Sequence, residues 1–206
     1  MILPNKIKGI IKDKKMTLNT EAHVSGDEVY NINDEYILKV STNIDTLLHE
    51  KNINDYLLNK ANVSKSICFI VLDNKAYYLK TCLKGENLVN EKYLKDPYKL
   101  AKILSKAMKL FHSIDISECN YYSKESKGNI FTHGDFCLPN ILIDENGMIG
   151  FIDTTHSGIG DPWIDYAWCI WSYEYNLKSK EYTHILLKEL DIEFDKEKYE
   201  YYVNNI

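Results

Sequence analysis

The residue pattern predicts an α+β fold, with a small antiparallel sheet and one helix in the first part of the chain and mostly helices in the second. Three observations carry this. Strand-like runs fall in pairs around short polar turns, at 27–32 with 35–41 and at 67–72 with 75–81. Apolar residues at helical spacing mark helices over about 45–59 and 97–111, and again over 162–175, 179–190 and 195–203. Between these helices stands FTHGDFCLPNILIDENGMIGFID, residues 131–153, where two apolar runs flank Asp144-Glu145-Asn146-Gly147 and predict a hairpin with its tip near Asn146.

Taken in order, residues 5–15 suit a short surface helix. The strands over 18–41 follow, with Asn33-Asp34 as a tight turn, and alternation places Lys39 on the opposite face from Leu38 and Val40. In the helix after them, Leu47, Glu50, Ile53 or Asn54, and Leu57 share one stripe. A carboxylate inside an apolar stripe is costly unless a cation meets it, and Lys39 is the candidate. Asp73-Asn74 turns the second strand pair. Asp96 and Pro97 suit the cap and first position of a helix whose stripe is Leu100, Ile103, Leu104, Ala107 and Phe111, with His112 as a helix-end residue. Asp161-Pro162 starts the next helix, which is strongly apolar and so buried.

The totals exclude several classes. The chain has 206 residues, of which 45% are hydrophobic and 27% charged, as expected for a globular protein of one unit or two small lobes. A net charge of −5 argues against a nucleic-acid partner. The five cysteines are scattered and odd in number, which suits reduced thiols in a cytoplasm. No apolar run is long enough for a bilayer and the start lacks a signal-peptide pattern, so neither membrane attachment nor export is expected. Oligomeric state is left open.

The hairpin carries the chemistry. Asn140 lies just before its first strand and Asp153 just after its second, so both reach the open end, where Asp135 also stands. An amide and two carboxylates there provide oxygen ligands for a hard divalent cation and one carboxylate as a base. Phosphoryl transfer from a nucleotide needs this set. His133-Gly134-Asp135, Asn140 and Asp153 form a variant of the kinase catalytic loop and metal site.

On these residues, and on Gly158 to Asp165 after them, the chain resembles the aminoglycoside phosphotransferase family, small-molecule kinases with a two-lobed protein-kinase-like fold. The resemblance implies a nucleotide-binding lobe over 1–81, a hinge over 82–86 and a catalytic lobe over 87–206. It implies Asp135 as the base or orienting carboxylate, Asn140 and Asp153 as ligands of Mg2+, and Lys39, held by Glu50, as the phosphate clamp. Ser25 matches the phosphate-contacting residue of a short loop, although Val24 to Asp27 equally suits a plain turn. Thr81 and Leu83 match the hinge positions whose backbone bonds the adenine of ATP, with GTP left open. His133 is expected to shape the loop, and Asp165 to tie it.

The chain also departs from the family. Ile37 stands where an aromatic ring commonly packs on the base. His156 replaces an Arg, and Glu174, shifted by one position, is the charge kept where relatives have acidic substrate contacts. The connection over 116–132 is short and polar where relatives insert a helical lid over the acceptor. The expected function is phosphorylation of a hydroxyl on a small molecule. An aminoglycoside-type antibiotic is the first acceptor; another alcohol (choline, a sugar or another antibiotic) and a non-catalytic nucleotide-binding relative are the alternatives.

Overall fold

The computed structural model describes residues 3–19, 27–123 and 127–205. Two compact units divide the chain, one formed by Met1–Leu58 and Val63–Leu83, the other by Asn59–Asn62 and Lys84–Ile206. Ser25 lies outside the described residues.

The first unit is an antiparallel five-stranded sheet in the order β1-β2-β3-β5-β4, built from β1 (Met16–Leu18), β2 (Glu28–Ile32), β3 (Tyr36–Ser41), β4 (Ser66–Leu72) and β5 (Lys75–Thr81). Both expected turns are present, and Asn33, Asp34, Asp73 and Asn74 all take positive φ, a conformation that Asn and Asp tolerate better than other side chains. Alternation then sorts the faces. Leu38 and Val40 of β3 and Tyr77 and Leu79 of β5 point to one buried cluster, while Lys39, Tyr78 and Lys80 occupy the other face.

Helix α2 (Ile44–Leu57) covers the second face, capped by the Asn43 side chain, and buries Leu47, Glu50, Ile53, Asn54 and Leu57 as its stripe predicts. Helix α1 (Asn5–Ile10) corrects the surface-helix expectation. Ile7 is fully buried with Ile11 against Ile32, Leu38 and Leu79, because the face away from α2 also needs an apolar cover.

In the second unit, α4 (Pro97–His112) begins at the expected Asp96 cap, whose carboxylate accepts from the Lys99 N–H at 3.0 Å. It is preceded by β6 (Glu86–Asn87) and α3 (Glu91–Leu94). The expected hairpin forms from β8 (Ile141–Ile143) and β9 (Ile149–Phe151), and β6 joins it as a third strand. The Asp144 carboxylate organises the tip by accepting from Asn146 N–H and Met148 N–H, and Gly147 supplies the positive φ.

A second small sheet pairs β7 (Ile130–Thr132) with β10 (Gly158–Gly160). Its glycines have a packing reason, since a Cβ on Gly158 would run into the backbone of Tyr122 and Ser123. Ser123 N–H donates to Ile159 C=O at 3.0 Å, so the short connection after α4 lies directly on β10.

Helices α5 (Trp163–Leu177), α6 (Thr183–Leu190) and α7 (Lys196–Asn205) complete the unit. Asp161 accepts from Trp163 N–H at 2.9 Å, capping α5 as expected. No helix among the described residues is long and apolar enough to cross a membrane. The cysteines are free thiols, and all but Cys82 are buried.

The packing centre of the second unit is Phe111, whose ring lies 4.7 Å from Phe151, 5.3 Å from His133 and 5.6 Å from Phe131 between centroids. Removing a buried Phe costs about 3–5 kcal/mol through lost transfer energy and a cavity. Phe111→Ala is therefore expected to lower the unfolding free energy by that amount, seen as a lower urea midpoint at constant m-value in circular dichroism.

Candidate active site

The second unit holds the catalytic loop on a buried carboxylate. Asp165, fully buried in the first turn of α5, accepts from the backbone N–H of His133 and of Gly134, each at 2.8 Å. The tie expected of Asp165 is thus present. His112 adds a contact that sequence reasoning missed, with Nε2 at 2.9 Å from the same carboxylate. Gly134 has φ +79, and a Cβ there would collide with the backbone and Cβ of His156. The loop conformation therefore needs glycine at this position.

His133 shapes the loop from inside. Its Nε2 lies 3.0 Å from the Ile152 carbonyl, and its Nδ1 accepts from Asp135 N–H at 3.3 Å. A neutral imidazole protonated at Nε2 satisfies both bonds. Buried and fully engaged, His133 holds the start of the loop to the end of the hairpin.

Asp135 and Asn140 meet directly. The Asn140 amide nitrogen donates to the Asp135 carboxylate at 2.8 Å and to its backbone carbonyl at 3.0 Å. This turns the Asn140 side-chain oxygen away from Asp135. Ile152 N–H donates to Asn140 C=O at 3.0 Å, which brings the next residue, Asp153, to the same open end. Asp153 sits at φ 57, ψ 56, and its carboxylate accepts from the Thr155 hydroxyl at 2.9 Å.

The thiol of Cys137 lies 3.9 Å from the Trp168 carbonyl, and burial followed by the Asp135 charge pushes its pKa far up. It therefore stays protonated. Leu138 N–H donates to Ser172 Oγ at 3.0 Å, so α5 supports the loop at this second place.

The first unit carries its own charged cluster. Lys39 Nζ is 2.8 Å from Glu50 Oε2, the expected pair, with Glu50 only 1% exposed. The other Glu50 oxygen takes Lys80, 4% exposed, which sequence reasoning missed. The signal was available in the period of β5, which puts Lys80 on the same face as Tyr78 and Lys39. One carboxylate thus satisfies two ammonium groups, each through a charge-assisted hydrogen bond.

The remaining expected positions fall as follows. Thr81 closes β5 through its backbone N–H to Lys65 C=O at 2.9 Å, and its hydroxyl accepts from Lys65 N–H. Leu83 ends the first unit. His156 buttresses Gly134 through its backbone. Glu174 is turned toward α6, where it accepts from the Thr183 hydroxyl at 2.7 Å and lies 3.7 Å from Lys180 Nζ.

The chain is similar to known proteins in sequence and in fold. Residues 124–201 match the model of the phosphotransferase enzyme family APH. A probable aminoglycoside 3'-phosphotransferase of Lactococcus lactis is 24% identical over 221 residues, covering 87% of this chain and 84% of that protein. An aminoglycoside 3'-phosphotransferase of Enterococcus faecalis is 25% identical over 258 residues, covering 98% of this chain and 97% of that protein. Aminoglycoside phosphotransferase APH(3'')-Id of Streptomyces rimosus matches the fold with a TM-score of 0.80 at 16% identity, over 96% of this chain and 93% of that one. A second structure of it, with ADP and streptomycin, gives 0.79 at 15% identity, over the same shares. The segment that matches the APH phosphotransferase enzyme family takes in the His133–Asp135 loop, Asn140, Asp153 and Asp165, and the α+β fold of the chain is that of the aminoglycoside phosphotransferases it resembles.

Proposed function

We propose that the protein transfers the γ-phosphoryl group of Mg-ATP to a hydroxyl of an aminoglycoside-type antibiotic, giving resistance to it. The observation that carries this is the Asp135 carboxylate, fixed by Asn140 at the open end of the hairpin beside Asp153. The acceptor oxygen attacks the γ-phosphorus, the bond from that phosphorus to the β–γ bridging oxygen breaks, ADP leaves, and the hydroxyl proton passes to Asp135. In such a loose transition state catalysis is mainly placement and charge neutralisation.

Residues 1–81 serve as the nucleotide-binding lobe, 82–86 as the hinge and 87–206 as the catalytic lobe. Lys39 contacts the phosphates and is held by Glu50, whose other oxygen Lys80 fixes. Ser25 contacts the phosphates from its loop, and the Thr81 and Leu83 backbones bond the base of ATP or, as the alternative donor, GTP. Asn140 Oδ1 and Asp153 fit Mg2+, which takes few protein oxygens and keeps waters and substrate phosphates as its other ligands. That ion supplies charge neutralisation on the phosphates when bound. His156 is assigned to the acceptor side of the site. Glu174 is a weaker candidate there, because Thr183 and Lys180 engage its carboxylate.

A second reading keeps the reaction and changes the acceptor to another small alcohol. It is favoured by the brevity of the 116–132 connection and by the alignment with the Enterococcus faecalis relative, which runs over 258 residues against 206 in this chain. Nucleotide consumption with magnesium across aminoglycosides, sugars and choline separates the two. Raised resistance of a susceptible bacterium expressing the protein tests the first directly.

Variants separate catalysis from support. Asp135→Asn is expected to lower kcat by about a hundredfold or more, the usual size of a general-base contribution, with an unchanged melting temperature. Asp153→Ala is expected to abolish the magnesium-dependent part of the thermal shift given by nucleotide. Asp165→Ala leaves two buried N–H groups unpaired, at about 1–3 kcal/mol each, so stability and turnover should fall together in thermal melts and assays.

A further inference from the structure

We propose that the cavity at the tip of the β8–β9 hairpin is a second binding site, for an amphipathic carboxylate whose acid head meets Lys106 and whose apolar chain lies on Leu110 and Met148. The site is separate from the one built on Asp135, since neither Asp135, Asn140 nor Asp153 lines it.

Three parts of the second unit make the cavity: the 59–62 turn, the end of α4 and the hairpin tip. Its volume is about 700 Å³, within the range of small-molecule sites, about 300–1,000 Å³. Hydrogen bonds tie its walls together. Phe151 N–H donates to Asn62 C=O at 2.9 Å, which pins the turn to β9, and the Asp144 carboxylate holds the tip through Asn146 N–H and Met148 N–H.

The lining is divided by chemistry. Ile114, Ile149 and Phe151 are buried and form an apolar wall. Leu110 and Met148, on different elements, add large side chains that are 47% and 52% exposed. One exposed apolar side chain is ordinary. Two that border the same cavity leave apolar area that a ligand would cover.

Charge selects the head. Lys106 lines the cavity, is exposed and makes no ion pair among the described residues. Lys102 and Lys109, four residues before it and three after it, stand on the same side of α4 and line the adjoining groove with it, against one acid, Glu189. The acid of the cavity itself, Asp115, is already engaged. Its carboxylate accepts from the Ser117 N–H at 3.0 Å and from the Ser117 hydroxyl at 2.8 Å, and the Lys60 charge adds to these. A cationic edge of this kind, on a chain of net charge −5, draws a negative ligand. A bare inorganic anion would leave the apolar wall uncovered, so the ligand carries a chain.

The test is calorimetric titration of the full chain with octanoate, decanoate and dodecanoate, below the concentrations at which they aggregate, with acetate, decanol and decylamine as controls. One saturable site is expected, tightening roughly tenfold for each two methylenes that enter it, with decanol and decylamine about fivefold weaker than decanoate or worse. Lys106→Glu should weaken decanoate about fivefold or more, and Met148→Asp roughly tenfold, with the melting temperature unchanged because both side chains are exposed. No saturable binding, equal binding of decanol, or binding unchanged in both variants would overturn the site. So would retention of the protein on vesicles of anionic lipid without a saturable response to free decanoate, which would assign this face to a membrane surface. None of these readouts depends on turnover, so the phosphoryl-transfer reading stands or falls apart from them.

Discussion

The buried carboxylate of Asp165 is the point on which the second unit depends. It accepts the backbone N–H groups of two consecutive loop residues and faces His112 from a third element, so α4, α5 and the catalytic loop share one acceptor. A fully buried carboxylate is stable only when its lone pairs are used, and here they are used by groups that set the direction of Asp135. The loop then has little freedom left. Its glycine is pressed against the His156 backbone, and its histidine is held at both ring nitrogens.

The first unit applies the same rule with opposite sign. Glu50 enters the interior on an apolar helix stripe and is met on each oxygen by a lysine of the sheet. The two ammonium groups settle the buried Glu50 and fix Lys39 on that face of the sheet. Each unit thus holds its chemistry through a buried acid, one with backbone donors and one with side-chain cations.

Much of this was legible in the residues. The turns at Asn33-Asp34 and Asp73-Asn74, the caps at Asp96 and Asp161, the stripe of α2 and the hairpin over 141–151 rest on local rules, and local rules operate within a few residues. The spacing of Asp135, Asn140 and Asp153 was legible because a hairpin converts sequence distance into spatial distance by simple alternation. What escaped was short or distant. Strands β6, β7 and β10 have two or three residues each, too few for a period of two to register. The burial of α1 depends on a sheet face that is assembled from four other strands.

The sequence by itself determined the longer elements, the hairpin that brings Asn140 and Asp153 to one end, and the pairing of Lys39 with Glu50, because each follows from periodicity, from a turn, or from the cost of burying a charge. Only the tertiary structure decided which groups complete those sites. Lys80 reaches Glu50 from 30 residues away, His112 reaches Asp165 from 53 away, and Glu174 turns to α6. Contacts at such separations depend on how whole elements pack: the period of β5 gives the face of Lys80, and only the packing of α2 on that face brings Glu50 to it.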